Sequence, residues 1–96
     1  MRLHWTGKAR RDIREIHRRR ANYSAASARR LVAGIRTRAL VLREYPDIGR
    51  MVPEFELREV RELIEGDFRI VYERFPDPVE IIAVLPGRMS FADWTL

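Results

Sequence analysis

Residues 61–88 read RELIEGDFRIVYERFPDPVEIIAVLPGR, and where this stretch is cut decides the fold. Gly66-Asp67 and Pro76-Asp77-Pro78 are turn signals: glycine reaches backbone angles other residues avoid, and proline has no N–H to give to a ladder. Between them, 68–75 alternates with a period of two. Phe68, Ile70 and Tyr72 fall on one face and Arg69, Val71 and Glu73 on the other, the pattern of a half-buried strand. Residues 79–85 are nearly all apolar, which predicts the central, most buried strand. With 59–65 in front, three strands joined by short turns predict a small antiparallel sheet. Arg61, Arg69, Arg74 and Arg88 lie in or beside these strands. They are either core-sheet arginines held by carboxylates or arginines presented to a partner.

Upstream, the period changes to that of helices. RLHW, residues 2–5, reads as a short strand, and Thr6 as the cap of a helix over 7–21 with Ala9, Ile13 and Ile16 on its apolar stripe. Arg10, Arg11, Arg14 and Arg18 cover the rest of that helix. Ser24 begins a second helix over 25–44, with Ala28, Leu31, Val32, Ile35, Ala39 and Leu42 inward. The connection is short enough to predict an antiparallel helical hairpin. Tyr45-Pro46 ends it, because a residue before proline is pushed out of the α region. Residues 46–57 read as a loop, and the tail 88–96 holds Phe91 and Trp94 without a clear pattern. The expected architecture is α+β: one domain over 1–96, a helical hairpin packed on an antiparallel sheet.

Composition narrows the function. The chain has 96 residues and no cysteine, which excludes a disulfide framework and thiolate chemistry. No apolar run nears the length of a membrane span, so a soluble, cytoplasmic protein is expected. The net charge of +5 is unevenly spread. Residues 1–45 carry thirteen Lys and Arg against three acids, and 46–96 carry six Arg against eleven acids. A cationic front half suits nucleic acid, ribosome or an acidic protein; a solvated, soluble surface is the plainer reading. His4 and His17 have no second ligand at metal spacing, so neither metal nor cofactor is expected. Glu59, Glu62 and Glu65 fit alternating charges along a strand edge. Depending on register, Arg61 and Arg69 approach each other on one face across the 66–67 hairpin. Adjacent like charges then call for an anion or a carboxylate to relieve them.

Read in order, the "A–R–DI–EI" spacing of the first helix, SAASARRLVAGI (24–35), EYPDIGR (44–50), VRELIEGDFRIVYE (60–73) and VEIIAVLPGR (79–88) resemble the RelE/ParE superfamily of bacterial type II toxins, the plasmid-stabilisation proteins. The resemblance covers residues 3–88 and implies the fold just derived. It also implies a cognate acidic antitoxin that lies along the helical hairpin or extends a sheet edge, with Arg10, Arg14, Arg18, Leu31 and Ile35 as the candidate contacts. Operator DNA would be reached only through that antitoxin, and no membrane is involved. RelE-like members cleave mRNA in the ribosome, and for that reading Arg61, Arg69 and Arg88 are the phosphate-holding candidates. ParE-like members poison DNA gyrase, and for that reading Arg88, Phe91 and Trp94 are the target-binding candidates. The general base of the nucleases has no counterpart: Pro86 and Gly87 stand where many carry His or Lys, no Tyr follows Arg88, and Lys8 is the only lysine. Arginine stays protonated and is a poor base. The ParE-like reading is therefore favoured, the mRNA interferase is the alternative, and an inert antitoxin-binding module is the third.

Overall fold

The structure, a computed structural model, describes residues 1–56, 59–74 and 76–95 and, within them, every side chain but those of Phe91 and Thr95. Strand β1 (Leu3–Trp5) runs into Thr6, which starts helix α1 (Gly7–Ala21). The Thr6 hydroxyl oxygen accepts the Ala9 N–H at 3.1 Å. Its O–H donates to the Ile81 carbonyl at 2.9 Å. One residue thus caps the helix and ties it to the sheet. Ser24 caps helix α2 (Ala25–Ala39) by accepting the Ser27 N–H at 3.1 Å. The expected second helix over 25–44 is shorter: after Ala39 the chain tightens into a 3-10 turn, Leu40–Arg43. Pro46 acts on Tyr45, the residue before it, and so ends the helical stretch as a whole rather than α2 itself.

Three strands follow as expected, with small shifts at their ends: β3 (Val60–Glu65), β4 (Phe68–Glu73) and β5 (Val79–Pro86). Phe75, the expected end of the second strand, lies outside the described residues. Gly66 turns at φ 56, which only glycine adopts without strain. The sheet itself differs from the expectation. It has five strands in the order β1-β5-β4-β3-β2, where β2 is the two-residue Arg50–Met51. The expected antiparallel sheet is therefore mixed, because β1 pairs parallel to β5 through Leu3↔Val79 and Trp5↔Ile81. β5 is interior, flanked by β1 and β4, but the middle strand of the five is β4, because β3 and β2 extend the sheet on its other side. Between β4 and β5 the register steps from Val71↔Ala83 to Tyr72↔Ile81, leaving Ile82 as the extra residue of a bulge.

The two faces of the sheet carry two cores. The helices cover the first, where Ile13, Ile16, Ile35 and Leu42 pack on Leu63, Ile70, Tyr72 and Ile81. The second, smaller core joins Val52, Val60, Val71, Ala83 and Leu85. Asp12 is a buried acid on the apolar side of α1. Its Oδ2 accepts the Val84 N–H at 2.9 Å and its Oδ1 accepts from Lys8 Nζ at 2.6 Å. β1 ends at Trp5, so Val84 has no strand neighbour there, and the α1 carboxylate supplies the missing acceptor. The tail, which has no pattern in the sequence, forms the short helix α3 (Phe91–Thr95). Among the described residues no helix is long and apolar enough to cross a membrane.

Candidate functional site

The arginines of the opening stretch part company in three dimensions. The β3–β4 register pairs Arg61 with Tyr72 and Arg69 with Ile64. Facing residues share a side and neighbours alternate, so Arg61 and Arg69 stand on opposite faces and never meet. Arg69 is 6% exposed. Its Nε donates to Glu62 Oε1 at 2.6 Å, and Nη1 and Nη2 reach the two oxygens of Glu54 at 3.0 and 2.8 Å. Nη1 also donates to the Met89 carbonyl at 2.9 Å. Glu62, 1% exposed, takes a second guanidinium from Arg50 at 2.6 Å. The Glu54 hydrogen bond, opposed by burial and reinforced by Glu62, holds the Arg69 pKa above its ordinary value.

Arg61 reaches the other way. Its Nη1 donates to the Gly49 carbonyl at 2.8 Å. Arg74 pairs with Asp47 beside it. Tyr72 holds the same loop: its hydroxyl accepts the Gly49 N–H at 2.9 Å and donates to the Pro46 carbonyl at 2.7 Å. A Cβ on Gly49 would stand 2.6 Å from the Glu62 carbonyl oxygen, so this close approach needs glycine. Arg61 and Arg74 are thus committed to shaping the 44–50 turn. Of the four, Arg88 is the exposed one, just beyond the end of β5. The nuclease set of Arg61, Arg69 and Arg88 is not brought together.

Of the tail candidates, Trp94 turns inward. It packs against both cores and lies between two cations, Lys8 Nζ at 5.8 Å and Arg19 Cζ at 5.7 Å from its ring. The Phe91 side chain lies outside the described residues. Of the hairpin candidates, Arg10, Arg14 and Arg18 are exposed. Arg18 and Arg19 both hold Glu15, whose carboxyl is drawn down to about 2, chiefly by the Arg18 hydrogen bond. Ile35 is 0% exposed in the helix-covered core. It has to be corrected as a contact residue, because no partner reaches it without unpacking the hairpin.

Leu31 is the hairpin candidate that opens onto a cavity. At one end of the molecule the α1–α2 elbow, the β3–β4 turn and the end of β5 converge on a cleft of about 530 Å³. Ile16 and Leu31 line it from the helices and Phe68 and Pro86 from the sheet, with Arg19, Arg20 and Arg88 among its charged groups. Trp94 also lines it, and among the described residues Asp67 is the one acid in its lining. Tyr23 stands beside it, 90% exposed. Sequence reasoning missed Arg19, Arg20, Tyr23 and Phe68 as a group, because they lie on three separate elements. The available signal was an aromatic, Tyr23, three positions after the arginine run 18–20, in the break between the two helices. Among the described residues no cluster of three or more His, Asp and Glu gathers as a metal site.

The family model described as the ParE toxin of the parDE type II toxin-antitoxin system matches residues 3–91. The chain belongs to this ParE toxin family, the branch of the RelE/ParE superfamily that the sequence favours. A solved chain described as the chromosomal ParDE TA system from P. aeruginosa superposes with a TM-score of 0.76 at 24% identity. That match covers 90% of this chain and 95% of the other, and at this identity it speaks for the fold. Comparison with curated proteins finds no match.

Proposed function

We propose that this ParE-family toxin arrests growth in the bacterial cytoplasm by inhibiting DNA gyrase, and that a cognate acidic antitoxin neutralises it. The observation that carries the target reading is Arg69. A phosphate-holding arginine must offer free donors to its ligand. Here the guanidinium is buried and donates to Glu54, Glu62 and the Met89 carbonyl, while Arg61 works on the opposite face. Cutting RNA needs charge stabilisation and a proton acceptor gathered at one phosphate. Inhibiting a large enzyme by binding needs only a surface. Purified protein is expected to block supercoiling by gyrase or to trap cleaved DNA, and to leave mRNA intact in a translating ribosome system. Codon-positioned cuts in primer extension would promote the mRNA interferase instead. Silence in both assays would leave an inert antitoxin-binding module.

A further inference from the structure

We infer that the outer face of the helical hairpin is a binding surface for the phosphodiester backbone of double-stranded DNA, held without regard to sequence by Arg10 and Arg14 of α1 and Arg29, Arg30 and Arg36 of α2. All five arginines are exposed. Among the described residues, none of them makes an ion pair or a hydrogen bond through its side chain. The sheet half treats its arginines differently. Arg50 and Arg69 are held by Glu62 and Glu54, Arg74 by Asp47 and Arg61 by the Gly49 carbonyl. Residues 7–43 carry twelve Lys and Arg against Asp12 and Glu15 alone. Both of these acids are in use, Asp12 on Lys8 and the Val84 N–H, Glu15 on Arg18 and Arg19. The fold gains nothing from the excess. Arg10 and Arg14 stand four apart on α1, where like charges repel. Neither helix has an acid in its first turn, and Lys8 and Arg10 sit at the positive end of the α1 dipole. A bound polyanion turns both placements from repulsive to attractive.

The residues between the arginines favour a duplex over the other polyanions. A protein partner is held by large apolar anchors near the centre of its interface. On the hairpin the exposed large apolar residues are Tyr23 and Leu40, one at each end of α2. A single strand is held by stacking on aromatic rings, and no Phe, Tyr or Trp lies within α1 or α2. The exposed residues around the α2 arginines are instead Ala25, Ala26, Ala33 and Thr37, small enough to let a phosphate backbone approach the helix. Arg29 and Arg36 lie two turns apart, about 10.5 Å along the axis. Packed helices lie about 8–10 Å apart, so the two arginine rows span a distance between the widths of the B-DNA grooves, about 6 and 12 Å. Each row can then meet the phosphates on one side of a groove. A-form RNA, with one deep narrow groove and one wide shallow groove, matches the rows less well. The sequence led to an expectation of DNA contact only through an antitoxin; the hairpin gives the toxin a contact of its own.

Fluorescence anisotropy of a short labelled DNA duplex of arbitrary sequence, titrated with the purified full chain at a series of salt concentrations, tests this. The expected Kd is about 10⁻⁴–10⁻⁶ M in physiological salt, and log K should fall with log salt at a slope of about −4 to −5 for five phosphate contacts. The double variant Arg29→Gln with Arg36→Gln should make the slope shallower by about 2 and raise Kd roughly tenfold or more. The pair Arg2→Gln with Arg50→Gln makes the same change in net charge at exposed positions off the hairpin. It should leave the slope unchanged and raise Kd less than about threefold, as long-range attraction alone would. Circular dichroism melts should show the hairpin variant as stable as wild type, since its two arginines hold nothing in the fold. Equal losses from the two pairs would overturn the inference, as would no binding of the duplex at low salt. Tighter binding of a single-stranded oligothymidine, or of an RNA duplex of the same sequence, would overturn it as well. All of these outcomes are separate from gyrase inhibition, which the supercoiling assay reads.

Discussion

Arg69 and Tyr72, three positions apart on one strand, point to opposite sides of the sheet and hold different things together. Arg69 binds Glu62, Glu54 and the Met89 carbonyl, and so connects β4, β3, the loop before β3 and the start of the tail. Truncating one partner of a buried pair costs about 3–5 kcal/mol where the other charge is left unpaired. Glu62 keeps Arg50 and Glu54 is partly solvated, so Arg69→Ala should destabilise the fold toward the bottom of that range, about 3 kcal/mol, read by urea unfolding. A variant as stable as wild type that has lost toxicity would instead make Arg69 a ligand-binding group. Tyr72 is fully buried, and that desolvation raises its pKa above the usual tyrosine value, with the Gly49 hydrogen bond pulling the other way. In the unfolded chain the phenol ionises at about pH 10, but in the folded chain only at higher pH. Across that interval the folded state binds more protons, so stability falls as pH rises; below it the contribution is complete. Thermal melts from neutral to alkaline pH should show a loss beginning near pH ~10. Tyr72→Phe should be less stable at neutral pH by about 1–3 kcal/mol, because the buried Gly49 N–H loses its acceptor. The variant should also show a shallower alkaline decline. Identical alkaline slopes in both proteins would assign the decline to another group.

At the scale of elements, the tail and the first helix depend on one another. Helix α3 has five residues, too few to hold itself. Its order comes from Trp94, set against both cores and flanked by Lys8 and Arg19 of α1. Trp94→Ala should lower stability toward the bottom of the roughly 3–5 kcal/mol range for buried aromatics, since the ring is only part-buried. Melting temperature and antitoxin affinity should fall together in this variant. If growth arrest is lost while melting and affinity stay at wild-type values, Trp94 belongs to the target surface instead. Helix α1 is held in turn by Asp12, whose carboxylate accepts the Val84 N–H where β1 has stopped. A buried acid on an apolar stripe looks out of place in the helix alone; the open side of β5 explains it.

On the scale of the whole molecule, the charge asymmetry becomes a geometry. The arginine-rich half is the helical hairpin, and the acid-rich half supplies β3 to β5 with the loop before them. Three of its eleven acids are turned to arginines of the same half: Glu54 and Glu62 on Arg69, Glu62 on Arg50, Asp47 on Arg74. The hairpin arginines are less satisfied by partners of their own, and Arg10, Arg14, Arg29, Arg30 and Arg36 are exposed. The surface facing incoming partners is therefore more cationic than the net charge suggests, which favours fast, salt-sensitive encounter with an acidic protein.

The sequence by itself determined the helix over 7–21 with its Thr6 cap, the Ser24 cap, the glycine turn at 66–67 and the α+β class. Each of these depends on residues within a few positions of one another, where periodicity and capping act. The order of motifs also sufficed to point to the RelE/ParE superfamily, and the lack of a His, Lys or Tyr after the last strand to its ParE branch. Only the tertiary structure decided the rest. That β1 would run parallel to β5, 76 positions away in the Leu3–Val79 pair, depended on a long-range register that a three-residue strand does not encode. That Arg69 would be an internal ion-pair partner depended on Glu54 arriving from a loop 15 residues away. That Arg61 would stand on the other face depended on the hairpin pairing it with Tyr72, because side chains alternate and one step of register reverses a residue's face. The cleft arises in the same way, from an elbow, a turn and a strand end that meet only when hairpin and sheet have packed.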